Sequence, residues 1–305
     1  MPHTFRVQSF LRSVGVTVAI LVCSLFCDGQ SSSWAGALAR ARQLAPEARI
    51  VILNASTGNL LAAQRLEQAE RTLAAPGSTL KPLVLYSLMA DHLWFAEQRV
   101  ACDRKLSIAN HRLQCTHPAA PPYDARGALS WSCNSYFAAV ARSIKPEQLG
   151  RLLRPTGLLS ATGLVREEAV ADFREPRTVQ ATQLTVLGIE NIRVTPLELT
   201  AAYRWLAVEL NLHSNTVSAQ TLRHGLEDSA SFGMAGPASL GGVPVMGKTG
   251  TAESFNSSRT HGWFAGLAPA GNPRVVVVVY LPAGRGADAA RVAGELLAHG
   301  PLERQ

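Results

Sequence analysis

Three short runs of this sequence carry residue types able to do chemistry together. The first is Ser78-Thr79-Leu80-Lys81, preceded by Pro76-Gly77. On a helix, residues three apart share a face, so Lys81 can approach the Ser78 hydroxyl. A serine hydroxyl is a weak nucleophile that needs an adjacent base. A lysine fills that role where desolvation or neighbouring positive charge lowers its pKa. The start of a helix also presents backbone N–H groups that favour a developing oxyanion. The second run is Ser132-Cys133-Asn134, inside ALSWSCNSYF. Here a hydroxyl can relay a proton to a leaving amine and an amide can hold a substrate carbonyl. The third is Lys248-Thr249-Gly250-Thr251. On a strand, Thr249 and Thr251 share one face, and two hydroxyls near a lysine suit a peptide carboxylate. Gly250 lets a substrate backbone lie close, as an added strand would, and the Thr251 N–H can be a second oxyanion donor. Taken singly, each run also suits a plainer reading: an N-capped amphipathic helix, a Ser/Asn helix cap, and a strand-entry turn with an exposed lysine.

The elements that must position these runs can be read from periodicity. Ile50 to Leu53 and Leu60 to Ala63 read as a hairpin around the turn residues Asn54 to Asn59. Ser78 to Ala90 reads as a helix. From about Asp91 to Leu240 the chain reads as mainly helical, with loops at THPAAPPYD and REPRTVQATQ. In TPLELTAAYRWLAVEL, Thr195 is a natural N-cap, Pro196 fits the first helical position and Glu198 completes a capping box. Val245 to Glu253, His261 to Leu267 and Arg274 to Leu281 read as successive strands, the last with five consecutive valines that imply burial on both faces. Ala287 to His299 closes the chain as a helix. Strands at both ends bracketing a helical middle point to one α/β sheet built from both termini, with helices against it and a helical insertion.

Composition bounds the partners. The chain has 305 residues, 47% of them hydrophobic, and a formal charge of +7. The basic residues are scattered, with no basic helix and no aromatic-basic signature, so no nucleic acid is expected as a partner. At the N-terminus, Arg6 and Arg12 precede an apolar run, Val14 to Phe26, then a small and polar stretch to Ser33. Residues 1–33 have the layout of an export signal, with an uncleaved membrane anchor as the alternative. Trp34 to Pro46 reads as a linker, and residues 47–305 as the functional domain. Two of the five cysteines, Cys23 and Cys27, fall in the export segment. Of the others, Cys102 and Cys115 flank a candidate hairpin and can pair as a disulfide in an oxidising compartment, leaving Cys133 buried and inert. No CxxC pair or His/Cys cluster in the sequence points to a metal, and the histidines read as ordinary surface or core residues.

The three runs in this order form the signature set of the penicillin-interacting serine enzymes. From about Arg49 to Gly300 the chain resembles the transpeptidase domain of penicillin-binding proteins. PGSTLKP, SCNSYF, VTPLELTAAY, GKTGTAE and GWFAGLAP are similar to that family's segments, in its order. The resemblance implies an antiparallel sheet flanked by helices, plus a helical subdomain. It implies a serine D,D-transpeptidase acting on D-Ala-D-Ala stem peptides, and on β-lactams, through a Ser78 acyl-enzyme. Lys81 would be the base, and Ser132 and Lys248 would shuttle the proton to the leaving group. Asn134 would hold the substrate, Thr249 and Thr251 its carboxylate, with Gly250 between them. No cofactor or metal is implied. The location implied is extracytoplasmic, the periplasm or outer face of the inner membrane, and a glycan-polymerising protein is the partner expected to supply the acceptor strand. The chain departs from the family's commoner pattern at LGIENIR, where a Gly-Gln-Gly turn is usual, and at HPAAPPYD, where a His-Gly turn is usual.

Alternatives in activity are a D,D-carboxypeptidase, a β-lactamase, and a non-catalytic β-lactam sensor or scaffold. A β-lactamase needs a group to activate water. Glu167 and Glu168 lie in the right region, but Ala171 and Asp172 stand where an asparagine would be expected. Asn134 argues against the lactamase class that has a hydrophobic residue there.

Overall fold

The computed structural model describes residues 33–145, 147–253 and 259–302. Residues 1–32, nearly all of the stretch read as an export signal or anchor, therefore lie outside the described residues. Among those described, no helix is long and apolar enough to cross a membrane.

Alternation builds the centre of the molecule. Strands β1 (Arg49–Asn54) and β2 (Leu60–Gln64) form the expected hairpin. They join β7 (Met246–Glu253), β8 (Thr260–Ala268) and β9 (Val275–Leu281) in a five-stranded antiparallel sheet of order β2-β1-β9-β8-β7. All of β9 is buried, as its valine run requires. Its side chains divide by parity. Val276, Val278 and Tyr280 join one core with Val51, Leu53 and Trp263. Val275, Val277, Val279 and Leu281 join a second core with Ile50, Ile52 and Phe264.

Helices cover both faces. The first core receives α3 (Lys81–Ala90), α4 (Ala125–Ser130), α5 (Asn134–Ala141), α6 (Leu149–Leu153), α7 (Val179–Val186), α8 (Pro196–Leu212) and α9 (Val217–Ser231). The second receives α1 (Ala35–Leu44) and α10 (Gly286–His299). The short helix α2 (Leu66–Ala69) follows the first hairpin. Helix α8 opens as its sequence dictates: Thr195 Oγ1 accepts from Glu198 N at 3.0 Å and the Glu198 carboxylate accepts from Thr195 N at 2.8 Å.

Three local expectations change. The stretch read as a linker carries α1, which buries Trp34, Ala37 and Ala41 in the second core; its small residues let it lie close to α10. REPRTVQATQ is a loop only in its first half, because Thr178 caps α7 by accepting from Ala181 N at 3.1 Å. Within the helical middle there are also a small hairpin, β3 (Lys105–Ile108) with β4 (His111–Gln114), and a two-stranded antiparallel pair, β5 (Asp172–Phe173) with β6 (Ile192–Arg193), that closes around α7.

Candidate active site

Ser78 lies in a single 3₁₀ turn, Gly77–Leu80, that runs straight into α3. Sheet and helix both grip this turn. On the sheet side, a Cβ on Gly250 would sit 2.5 Å from the Pro76 carbonyl oxygen, and one on Gly77 3.1 Å from Thr251 N. Only glycine permits β7 and the turn to approach so closely. On the other side, Gly77 N donates to Gly188 O at 3.0 Å, and a Cβ on Gly188 would overlap the Gly77 carbonyl. Gly188 has φ +71°, so it meets the steric and the conformational demand at once. It belongs to the LGIENIR segment that departs from the usual glycine-rich turn, and it supplies the glycine that the packing needs.

Three hydrogen bonds to carbonyls fix the same turn. Ala75 O accepts from His261 Nε2 at 2.8 Å and from Trp263 Nε1 at 2.9 Å, and Thr79 O accepts from Tyr203 Oη at 2.9 Å. All three donors are buried, and burial lowers the pKa of His261 and raises that of Tyr203. Sequence reasoning missed these positioning residues. Their only signal was membership in the segments GWFAGLAP and VTPLELTAAY, because a buried histidine or tyrosine does not announce its partner.

Lys81 and Lys248 are both fully buried and converge on Ser132. Lys81 Nζ donates to Asn134 Oδ1 at 2.7 Å, Ser132 O at 3.0 Å and Ser132 Oγ at 3.3 Å. Lys248 Nζ donates to the same Ser132 Oγ at 2.7 Å and to Thr249 O at 3.0 Å. Desolvation lowers the pKa of Lys81 to about 8. It lowers that of Lys248 well below the ordinary lysine value, and the neighbouring Lys81 charge adds to the effect. Two lysines sharing one hydroxyl in a water-poor site have labile protons. The face of Phe137, 5.1 Å from Lys81 Nζ, partly offsets the loss of hydration.

The Ser132–Asn134 turn is the junction of α4 and α5. Ser132 has φ +57°, an uncommon left-handed conformation for a residue with a side chain, which ends α4. Asn134 then starts α5, and its Nδ2 donates to Gln114 O at 3.2 Å on the β3–β4 hairpin. Strain of this kind, of order 1–3 kcal/mol, persists where surrounding structure over-determines it.

The structure thus joins Lys81, Ser132, Asn134 and Lys248 by hydrogen bonds and sets the turn that carries Ser78 against Gly250 of β7, the edge strand of the sheet. Thr249 and Thr251 face the other way, as alternation dictates. Thr251 Oγ1 accepts from Gly286 N at 2.9 Å at the start of α10, and Thr249 Oγ1 lies 3.5 Å from Met234 O. Glu168, weighed above as a water-activating group, instead accepts from Thr162 Oγ1 and Gly163 N at 2.7 Å each, and Glu167 is exposed beside Arg71.

The disulfide that the sequence left open between Cys102 and Cys115 is not formed. The hairpin between them exists, but all three described cysteines are free thiols, and Cys115 lies near Cys133 and His117 as well as Cys102.

Comparisons with known proteins converge. A family model described as the penicillin binding protein transpeptidase domain matches residues 48–299. A curated relative from Neisseria gonorrhoeae, described as a probable peptidoglycan D,D-transpeptidase PenA, is 26% identical over 75% of this chain. This chain spans 46% of that relative's length. Among solved structures, the transpeptidase domain of Burkholderia pseudomallei penicillin-binding protein 3 superposes with a TM-score of 0.75 at 19% identity, covering 87% of this chain and 91% of that one. The penicillin-binding protein PBP2 of Helicobacter pylori, solved in complex with MreC, gives 0.73 at 18% identity over 86% of this chain and 61% of the other.

Proposed function

Because the chain belongs to the penicillin-binding protein transpeptidase family, we propose that it is a serine D,D-transpeptidase that acylates itself at Ser78 with peptidoglycan stem peptides ending in D-Ala-D-Ala, and with penicillin. The observation that carries this reading is the single Ser132 hydroxyl shared by Lys81 and Lys248, with Asn134 on Lys81.

In this reading neutral Lys81 takes the Ser78 proton as Ser78 Oγ attacks the carbonyl carbon of the penultimate D-Ala. The developing oxyanion lies between the Ser78 and Thr251 N–H groups. As the C–N bond breaks, the proton passes through Ser132 and Lys248 to the departing D-Ala amine. The acyl-enzyme then gives its acyl group to a second peptide's amine, or to water in carboxypeptidation. Asn134 holds the substrate amide, and the edge of β7 accepts the substrate as an added strand beside Gly250. Thr249 and Thr251 are assigned the substrate carboxylate, which in this reading lies at the open edge of β7 toward the α10 face where both hydroxyls sit. Peptidoglycan lies outside the cytoplasm, so this assignment places the domain there, with residues 1–33 as its export or anchoring segment. A protein that polymerises glycan is the proposed source of the acceptor strand, and the partner-bound structure of the Helicobacter pylori relative makes a protein partner a natural expectation.

The test is to incubate the full-length chain with a fluorescent penicillin and follow intact mass over hours. A lasting adduct that is absent in Ser78→Ala supports the assignment. Rapid loss of penicillin without a lasting adduct would move it to a β-lactamase, and neither adduct nor turnover would leave a non-catalytic domain.

A further inference from the structure

Three cysteines and a histidine that lie far apart in sequence meet directly behind the Ser132–Asn134 turn. Cys102 precedes β3, Cys115 and His117 follow β4, and Cys133 sits between Ser132 and Asn134. Their Sγ atoms and one imidazole nitrogen all lie within 4.8 Å of one another. Cys115, His117 and Cys133 are buried, and Cys102 is half-buried. We propose that these four residues form a closed, tetrahedral zinc site that fastens the catalytic turn to the β3–β4 hairpin.

Geometry and donor chemistry carry the assignment. Bond lengths of about 2.3 Å to sulfur and about 2.0 Å to nitrogen give a zinc tetrahedron edges of roughly 3.5–3.8 Å. The separation of Cys102 Sγ from His117 Nε2 is already 3.5 Å, and the remaining edges need only small side-chain movements. His117 is oriented as a ligand. Its Nδ1 lies 2.8 Å from Pro118 O, a group that only accepts, so Nδ1 carries the hydrogen and the Nε2 lone pair points into the cluster. This carbonyl support of the distal ring nitrogen is the usual outer arrangement of a metal-bound histidine. The Tyr123 ring packs perpendicular to the imidazole at a centroid distance of 5.0 Å and restricts its rotation. Asn134 N donates to Cys115 Sγ at 3.2 Å, a bond that favours a thiolate.

Three sulfurs and one nitrogen are a borderline-soft donor set. It suits zinc and is unsuited to magnesium, calcium or manganese, which take oxygen. Four protein ligands leave no open position, so the role is structural. Binding forms three Zn–S bonds and one Zn–N bond, and the thiol protons leave to solvent. One ligand, Cys133, is the central residue of the catalytic turn, so the metal would hold Ser132 in its left-handed conformation and keep Asn134 within reach of Lys81. The four ligands act here as positioning residues.

The site is tested on the full-length chain by metal content and by its cobalt spectrum, neither of which requires acylation. Protein grown with zinc and then desalted should hold one zinc per chain by native mass spectrometry and elemental analysis. Replacing zinc with Co(II) alone should give intense thiolate-to-cobalt absorption and the ligand-field bands of a tetrahedral site. Cys102→Ser, at the least buried ligand, should weaken or shift the cobalt bands in proportion to one lost thiolate, and His117→Ala should lower zinc retention at least tenfold. Zinc removal by a chelator should slow penicillin acylation while Ser78→Ala leaves the zinc content intact. Protein that stays metal-free in zinc, gives no tetrahedral cobalt spectrum, or shows by peptide mapping a disulfide among Cys102, Cys115 and Cys133 would overturn the proposal. Zinc bound without acylation would instead leave this site standing and remove the enzymatic assignment.

Discussion

The two turns that meet in the candidate active site are held in different ways. The Ser78 turn is fixed by main-chain contact. Gly77, Gly188 and Gly250 let three backbones touch, and His261, Trp263 and Tyr203 tie down the flanking carbonyls. Its foundation is the large sheet and α8. The Ser132–Asn134 turn joins two short helices, α4 and α5, through a left-handed serine. It is held by side chains: two lysine ammoniums on one face, and the β3–β4 hairpin with its thiols on the other. The proposed nucleophile is therefore placed by architecture and the proposed proton relay by a polar network. Loss of one member should harm the relay far more than the nucleophile turn, since networks of buried polar groups lose more than one bond when a member is removed.

The largest effect should come from the group common to both turns. Lys81→Met keeps the side-chain volume but removes the base and the three hydrogen bonds to Ser132 and Asn134. Acylation should fall by about 10²–10⁴-fold, measured as the rate of fluorescent penicillin labelling, while circular dichroism is retained. A loss smaller than tenfold would remove Lys81 as the base and leave the contrast between the turns without its pivot.

Proton occupancy sharpens the same point without a mutation. Burial holds the Lys81 pKa at about 8, and only the neutral amine can take the Ser78 proton. Below that value labelling should rise about tenfold per pH unit, then level off above it. The linkage to stability has a definite sign. Between about 8 and the ordinary lysine value the unfolded chain carries the proton that the folded chain lacks, so this group makes stability rise with pH across that window. A rate that is flat from pH 6 to 9 would contradict the role given to Lys81.

The contrast also decides what was legible in the sequence. The sheet follows from period-two patterning, most plainly in Val275–Val279, and α8 from Thr195, Pro196 and Glu198. The proposed catalytic groups are legible because Ser78-x-x-Lys81, Ser132-x-Asn134 and Lys248-Thr249-Gly250 are local runs whose order carries information. The structure hydrogen-bonds Lys81, Ser132, Asn134 and Lys248 together, sets Gly250 against the turn that carries Ser78, and turns Thr249 and Thr251 toward α10. What could not be read are contacts between distant elements. Gly188 meeting Gly77, His261 reaching Ala75, and Cys102, Cys115, His117 and Cys133 converging all depend on tertiary approach, which no spacing rule encodes. The linker reading of Trp34 to Pro46 failed for a related reason: the alanine face of α1 becomes apolar surface only when α10 is there to cover it.

A Cβ at Gly188 attacks the nucleophile turn at its strongest contact. Gly188→Ala places a methyl group against the Gly77 carbonyl and forces alanine to φ +71°. Overpacking and left-handed strain each cost about 1–3 kcal/mol, so thermal denaturation should show roughly 2–6 kcal/mol of lost stability, with slower labelling because Ser78 N shifts relative to Thr251 N. Unchanged stability would mean that the turn is loosely held and that the two regions do not differ as argued.

The smallest effect should come from removing one tether of the same turn. Tyr203→Phe deletes the hydroxyl that bonds the buried Thr79 carbonyl and leaves the ring packing in place. One unsatisfied carbonyl costs about 1–3 kcal/mol, and denaturant unfolding should show a loss in that range. Labelling should fall by less than about tenfold, because near-attack geometry is still enforced by the glycine contacts and by His261 and Trp263 on Ala75. A collapse of labelling as large as that for Lys81→Met would show that the nucleophile turn hangs on single side chains, as the Ser132–Asn134 turn does, and would erase the distinction between backbone-built and network-built halves of the site.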